Sequence, residues 1–178
     1  MALNSTIIKV NLSISNLDDH YYQDHQLTVA QHPSENTQRM MLAVVAFILN
    51  AQQEPQFTKG LSATEEPALW KKNLIEDVEL WIELGQPDMK KLKKSCRQSD
   101  KVVVLSYNDT QCQLWFEGNQ KELKSYNNLS ILHVPNEQYQ QLAEFSQRQL
   151  NISATLQDGE LWLNTDDASA TIQLQTLL

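Results

Sequence analysis

Glycine is scarce in this chain of 178 residues: only four occur, and they do not cluster. A glycine-rich loop that cradles phosphates is therefore missing, which argues against the common classes of nucleotide-binding enzyme. Cysteine is rarer still, and the two that occur, Cys96 and Cys112, provide no disulfide framework. The four histidines show no metal-ligand spacing with these cysteines, so a structural zinc site is not expected. The sequence also has no G-x-S-x-G motif, which argues against a serine nucleophile of that type.

Basic residues are in the minority, with 14 Lys and Arg against 22 Asp and Glu, and the net charge is −8. Any contact with nucleic acid therefore requires a local basic patch. The most apolar run, residues 40–49, is far shorter than the ~20 residues of a membrane span. The first five residues lack the positive flank and apolar block of a secretory signal. Together with a 41% apolar content, this predicts one soluble domain over residues 1–178, cytoplasmic, in a reducing compartment and without membrane contact.

The order of the periodic segments predicts an α/β protein. Alternation of apolar and polar residues is typical of strands, and an apolar stripe with a longer period is typical of helices. The predicted strands are 8–14, 27–29, 78–84, 102–105, 129–134, 152–156, 161–163 and 171–174, and the predicted helices are 34–50, 87–97, 113–123 and 137–148. Strand, helix, strand, helix, strand in the middle of the chain predicts a sheet at the centre of the domain. Hairpins are predicted at both ends, with Ser34 as the N-cap of the first helix.

The most informative stretch is residues 79–88, which predicts an acidic strand, a turn at Gly85 and the start of a helix. Carboxylates on a strand beside lysines on the next helix are the components of a metal-dependent phosphodiester site, and equally of a solvated edge. Glu79 and Glu83 lie ~13 Å apart on a strand that rises ~3.4 Å per residue, so one ion cannot bind both. If Glu83 binds Mg²⁺ or Mn²⁺, one or two further acids suffice. The candidates for this second ligand are Glu35, Glu65, Glu66 and Asp77.

The helix after this strand carries a cationic side formed by Lys90, Lys93, Lys94 and Arg97. Such a side can contact the phosphates of a nucleic acid. It is equally typical of a solvated face that is balanced by nearby acids, and the pattern leaves both interpretations open.

Several segments, taken in register, resemble the YaeQ family of bacterial proteins. They are His32-Pro33-Ser34-Glu35 before Arg39-Met40-Met41-Leu42, Phe57-Thr58-Lys59-Gly60-Leu61, Glu66-Pro67-Ala68-Leu69-Trp70, the run from Leu80 to Asp88, and Gln157-Asp158-Gly159 with Leu161-Trp162-Leu163. The resemblance implies a compact variant of the PD-(D/E)XK, restriction-endonuclease-like fold, with a mixed central β-sheet flanked by helices. It implies no established substrate or activity.

The same resemblance suggests roles for particular residues. Glu35 matches the acid of the first core helix, and Glu83 matches the glutamate of the E-x-K motif. Two positions depart from that motif. Ala68 follows Pro67 where an acid is expected, so Glu66 would have to stand in as a metal ligand. Gly85 occupies the lysine position, so Gln86 or Lys94 would have to replace the lysine.

Two functional hypotheses follow from these residues. In the first, Glu83 and Glu66 hold Mg²⁺, Glu35 acts through a water molecule, and Lys94 stabilises the attacking hydroxide or the phosphate charge. The protein is then a metal-dependent nuclease that contacts nucleic acid through its basic helix. In the second, the protein keeps the nuclease-like architecture without catalysis and acts as a regulatory or interaction module with a protein or nucleic-acid partner. Architecture can be inherited without chemistry, and the acidic net charge and the altered motif favour this second hypothesis.

Overall fold

The computed structural model describes residues 4–178. Within them, the strands are β1 (Thr6–Asn16), β2 (Tyr21–Gln31), β3 (Gln56–Phe57), β4 (Leu69–Lys72), β5 (Val78–Leu84), β6 (Ser99–Ser106), β7 (Leu129–His133), β8 (Gln149–Gln157), β9 (Glu160–Asn164), β10 (Ser169–Gln173) and β11 (Gln175–Thr176). The helices are α1 (Thr37–Leu49), α2 (Met89–Gln98), α3 (Asp109–Leu123) and α4 (Asn136–Gln141). In this part of the chain no helix has the length and apolar character that a membrane crossing requires. The prediction about a secretory signal rests in part on residues 1–3, which lie outside the described residues.

One β-sheet joins the two ends of the chain, in the strand order β10-β9-β8-β1-β2. Strands β1 and β2 form the predicted N-terminal hairpin, and β8 and β9 form the predicted C-terminal hairpin. Strands β1 and β8 pair in parallel, with Val10 opposite Leu150, and this pairing fuses the two hairpins into one sheet. Alternate residues of β1 are buried, as the period of two in the sequence predicts.

A second sheet has the order β11-β7-β6-β5-β4-β3. Its centre is parallel, because α2 connects β5 to β6 and α3 connects β6 to β7. Strands β4 and β11 pair antiparallel at its two sides. The predicted α/β class is confirmed, and both sheets are mixed. The prediction of a single central sheet is wrong, because residues 4–178 form two sheets. The first sheet depends on the parallel β1–β8 pairing, which joins residues about 140 positions apart.

Helix α1 lies in the main core, which contains residues of both sheets. All nine residues from Met40 to Ile48 are buried, which explains why this helix is apolar on every side. The helix begins later than predicted: Asn36, not Ser34, is the N-cap, and its side-chain oxygen accepts a hydrogen bond from the Arg39 backbone N–H at 2.9 Å.

The fourth helix is shorter than the predicted 137–148. It ends at Gln141 and continues as a single 3₁₀ turn from Leu142 to Glu144. The chain then turns into β8, and the Phe145 side chain is fully buried in the main core. Burial of this aromatic ring stabilises the turn in place of further helix.

Candidate active site at the end of strand β5

Strand β5 places Glu83 inside the protein. Leu80 and Ile82 belong to the main core with α1. Trp81 and Glu83 lie on the opposite face, where Trp81 packs in a second apolar cluster with Leu92 of α2. The Glu83 residue is only 6% exposed. A carboxylate at such a position is stable only when it is paired and hydrogen-bonded.

Lys91 and Trp81 provide these partners. The Lys91 ammonium lies 2.8 Å from Glu83 Oε1 and 3.1 Å from Oε2. The indole Nε1–H of Trp81 donates to Glu83 Oε1 at 2.8 Å. Lys91 also donates to the backbone carbonyl of Glu66 at 3.0 Å. The lysine thus joins β5 to the loop that precedes β4.

The backbone at Gly85 explains why the lysine of an E-x-K motif is missing there. Its φ of +87° lies in the region that disfavours residues with a side chain, and an added Cβ would lie 3.3 Å from the Tyr107 ring. The strand ends at Leu84, and Asp88 then caps α2 by accepting hydrogen bonds from the backbone N–H groups of Lys90 and Lys91. The first turn of this helix carries the Lys91 side chain back to Glu83.

The Glu83–Lys91 pair lines a pocket of about 190 Å³. Glu66 and Arg39 line the same pocket, together with residues of the 60–68 loop. The pocket therefore contains two carboxylates and two fixed positive charges. Such a mixture can hold an anionic group next to a carboxylate-bound cation.

Glu35 acts on this pocket through Arg39. Its carboxylate lies 2.6 Å from the Arg39 guanidinium and accepts a hydrogen bond from the His32 backbone N–H at 3.3 Å. Glu35 precedes the N-cap of α1 rather than standing in its first turn. It is thus placed to orient an arginine of the pocket, while Glu83 and Glu66 line the pocket itself.

Lys94, which the sequence places beside Glu83 in the first hypothesis, instead pairs with Glu65. The Lys94 ammonium lies 2.6 Å from Glu65 Oε2 on the surface. The hydrogen bond from this ammonium lowers the pKa of Glu65. Gln86, the other predicted substitute, donates to the Tyr107 backbone carbonyl.

The cationic side of α2 is exposed, as the sequence predicts, at Lys90, Lys93, Lys94 and Arg97. Lys90, Lys91 and Lys94 line an open pocket of about 370 Å³ together with Glu65 and Asp88. The acids Glu65 and Asp88 compensate part of the positive charge of this surface.

Glu83 and Glu66 are the acidic residues that line the β5 pocket. Within residues 4–178, no group of three or more His, Cys, Asp or Glu side chains is arranged to hold a metal ion. The Glu66 carboxylate accepts a hydrogen bond from the Lys59 backbone N–H at 3.3 Å. Mg²⁺ commonly uses one or two protein carboxylates together with waters and substrate phosphate oxygens, so the number of acids in this pocket is one that a Mg²⁺ site can use.

Lys91 and Arg39 are the site residues that the sequence did not reveal. Lys91 directly precedes the buried Leu92 and lies four residues before the buried Ser95, which places it at the edge of the buried stripe of α2. This position is the signal that distinguishes it from the outward-facing Lys94. Arg39 follows Glu35 by four residues, a spacing that favours an ion pair near the start of a helix.

Known proteins resemble this chain over almost its whole length. A family model described as "YaeQ protein" matches residues 1–174. The chain is 41% identical over 175 residues to the uncharacterized protein YaeQ of Salmonella typhi. This alignment covers 98% of this chain and 96% of that protein. The chain is 38% identical over 174 residues to the uncharacterized protein YaeQ of Escherichia coli (strain K12), with the same two coverages.

Two crystal structures have the same architecture. The YaeQ protein from Xanthomonas axonopodis pv. citri superposes with a TM-score of 0.94 at 34% identity, covering 97% of this chain and 98% of that one. The YaeQ protein from Pseudomonas syringae superposes with a TM-score of 0.91 at 31% identity, covering 98% and 96%. The names of these relatives state no activity.

Proposed function

We propose, for a chain that belongs to the YaeQ family, that the β5 pocket hydrolyses phosphodiester bonds of a nucleic acid with the help of Mg²⁺ or Mn²⁺. The family resemblance inferred from the sequence motifs is confirmed. Membership of the PD-(D/E)XK nuclease-like superfamily stays a prediction, and it is one of the reasons for this proposal.

The contact between Glu83 and Lys91 carries the proposal. An acid and a lysine in one pocket are what the E-x-K motif supplies in nuclease-like sites, and here the lysine reaches Glu83 from α2 at 2.8 Å. An ammonium at this position stabilises negative charge on an attacking hydroxide or on the phosphate. Lys91 therefore takes the role that the sequence-based hypothesis gave to Lys94.

The remaining residues of the pocket have complementary roles. Glu83 and Glu66 would hold the cation, which supplies Lewis-acid activation of a phosphoryl oxygen when bound. Arg39 would contact a non-bridging phosphate oxygen, because its planar guanidinium matches phosphate geometry. Glu35 fixes the orientation of Arg39 through the 2.6 Å ion pair. Lys90 and Lys93 of α2 would guide the polyanion towards the pocket despite the overall negative charge, whereas Lys94 is paired with Glu65.

One observation favours the alternative, a non-catalytic regulatory or interaction module. Both oxygens of Glu83 already have partners, namely Lys91 and the Trp81 indole. A carboxylate that is fully satisfied by protein groups is also what a purely structural ion pair requires. The two functions therefore differ in whether a cation can compete for Glu83.

Metal titration separates the two functions. Isothermal titration calorimetry with Mg²⁺ and Mn²⁺ should detect binding at millimolar concentrations or below in the unmodified protein, and Glu83→Gln should abolish it. A screen of single- and double-stranded DNA and RNA should then show cleavage that depends on the metal. Lys91→Met should lose cleavage but keep metal binding, whereas Lys94→Met is the matched control and should retain both. Absence of metal binding at millimolar concentrations, with no cleavage of any substrate, would leave the non-catalytic module.

A further inference from the structure

A second polar cluster lies at the carboxyl ends of β6 and β7. Ser106 is the last residue of β6 and His133 is the last residue of β7, and the two are paired in register. Asp109 and Cys112 belong to the first turns of α3. Parallel neighbouring strands end at the same edge of a sheet, so the topology brings these four side chains together.

Hydrogen bonds arrange the cluster as a relay around the imidazole. His133 Nε2 lies 2.8 Å from Asp109 Oδ1, and Asp109 is itself held by the Asn136 backbone N–H at 2.9 Å. On the other side of the ring, Nδ1 lies 2.8 Å from Ser106 Oγ, which lies 3.0 Å from Cys112 Sγ. The carboxylate accepts from Nε2–H and so leaves Nδ1 as the basic nitrogen on the side of the thiol.

This geometry suits a nucleophile better than a metal ion. Asp109 and Cys112 lie on opposite sides of the imidazole, so they cannot both coordinate an ion that the ring also binds. A nucleophile, a base that takes its proton and a third group that orients the base are the usual parts of an activated thiol.

The surroundings of Cys112 favour its thiolate more than those of an ordinary cysteine do. Burial alone would raise the pKa of Cys112, but the hydrogen bonds with His133 and Ser106 lower it overall. Burial opposes protonation of His133, yet its bonds with Cys112 and Asp109 raise its pKa. Cys96 is the opposite case, because burial raises its pKa to about 11. Glu117 of α3 is a further charged residue that lines the same pocket.

The cluster opens into a pocket of about 290 Å³. Cys112 is 3% and His133 is 5% exposed, yet both line this pocket, so its space is their access to a small molecule. Phe116, Pro135 and Leu177 provide apolar walls, and the carboxylates of Asp109 and Glu117 make the pocket acidic.

Cys96 is too distant to form a disulfide with Cys112. The carbonyl of Cys96 accepts a hydrogen bond from Asn128, just before β7, which places it at the amino ends of the parallel strands. Cys112 lies at their carboxyl ends, and the eight residues of β6 separate these edges by roughly 23 Å at ~3.3 Å per residue. The partner of Cys112 must therefore be an external molecule.

We propose that Cys112 is a nucleophilic thiol that undergoes exchange with small disulfides, preferentially cationic ones. The Cys112 sulfur attacks one sulfur of R–S–S–R, which forms the mixed disulfide Cys112–S–S–R and breaks the original S–S bond. The leaving R–S⁻ takes the proton that Cys112 transferred to His133, so the products are the mixed disulfide and R–SH. The acidic pocket attracts a cationic R group and repels an anionic one.

Treatment of the native protein with three disulfides of similar size tests this proposal. Cystamine is cationic, 2-hydroxyethyl disulfide is neutral and dithiodiglycolate is anionic. We expect one adduct per chain by intact mass at neutral pH, located at Cys112 by peptide mapping, with rates that decrease in that order. Cys112→Ser should abolish the adduct, and Cys96→Ser is the matched control that should leave the rate unchanged.

Two further variants test the relay through the pH profile. His133→Gln should slow the reaction at pH 7 by about 10-fold or more. The rate should recover as the pH is raised towards the pKa of an ordinary cysteine thiol. Asp109→Asn alters an exposed side chain, so it tests the same relay if His133→Gln fails to fold. Reaction at Cys96 first, reaction only in denaturant, or an unchanged pH profile in the folded variants would each overturn the proposal.

Discussion

Replacing Lys91 by methionine should destabilise the protein through the carboxylate that remains. The substitution keeps most of the apolar stem but leaves buried Glu83 with only the Trp81 indole as a partner. Removing one member of a fully buried ion pair costs about 3–5 kcal/mol, whereas exposed pairs contribute about 0–1 kcal/mol. The Glu83 side chain is 8% exposed and the Lys91 side chain 29%, so the pair is nearer to the buried case. We expect a loss of about 2–3 kcal/mol in the free energy of unfolding.

Lys94→Met is a control on the same helix that separates burial from distance. The Lys94–Glu65 pair is shorter, at 2.6 Å against 2.8 Å, but both side chains are more than half exposed. If proximity determined the contribution, Lys94→Met would cost at least as much. Because solvent screens exposed charges, we expect Lys94→Met to leave the free energy of unfolding unchanged within the error of the measurement.

A double-mutant cycle completes this test. Glu83→Gln in the Lys91→Met background removes the unpaired charge, so the double variant should recover at least about 1 kcal/mol relative to Lys91→Met. Urea unfolding, followed by tryptophan fluorescence and far-UV circular dichroism, measures each free energy. The thermal midpoint of Lys91→Met should fall by roughly 5–10 °C. Additive effects of the two substitutions, or equal losses for Lys91→Met and Lys94→Met, would refute the reasoning.

Three further predictions concern the surroundings of the site and the core, and urea unfolding checks each. Gly85→Ala should cost about 1–2 kcal/mol because a side chain is strained at a φ of +87°. Gly118→Ala, in open space on α3, should instead stabilise the protein by about 0.5–1 kcal/mol. Equal effects of the two substitutions would contradict this prediction. Leu42→Ala in the buried core should cost about 2–5 kcal/mol, and the exposed control Leu74→Ala less than about 0.5 kcal/mol. Asp88→Ala removes the cap of α2 and should cost about 1 kcal/mol; a neutral effect would show that the cap is dispensable.

The sequence could predict individual strands but not how they divide between sheets. Alternation along β1 reports which residues are covered, and the structure agrees at Ile8, Val10, Leu12 and Ile14. The same alternation does not specify the neighbour across the sheet. Val10 pairs with Leu150, and no local pattern connects segments that far apart. The parallel β1–β8 pair was therefore outside the reach of periodicity.

Glu83 was visible in the sequence as the candidate centre of the proposed site, but Lys91 was not identified as its partner. An acid that alternates with apolar residues at the end of a strand is a visible signal. The choice between Lys91 and Lys94 depends on where α2 begins and how it is rotated about its axis. Those properties follow from the Asp88 cap and from burial of Leu92, and the position of Lys91 directly before Leu92 is the signal in the sequence that favours Lys91.

The Ser106–His133–Cys112 cluster shows a different limit. The histidines and cysteines have no motif spacing, because their proximity comes from adjacent parallel strands rather than from neighbouring positions in the chain. A usable signal was nevertheless present: Ser106 directly follows the predicted strand 102–105, and His133 is the second-last residue of the predicted strand 129–134. Polar residues at the carboxyl ends of parallel strands are where ligand sites of α/β proteins are commonly found.

The two clusters occupy the same face of the second sheet, and the sheet geometry keeps them separate. Glu83 is in register with Val104, which is in register with Ile131. The Ser106–His133 row follows two residues further along, so Glu83 and His133 lie roughly 12 Å apart for strands spaced ~4.8 Å with a ~3.3 Å rise. Val104 and Ile131 are fully buried between them. Helices α2 and α3 cover the earlier rows with apolar side chains such as Leu92 and Leu123. The same architecture thus accounts for the position of both clusters at the strand ends, and an apolar row separates them.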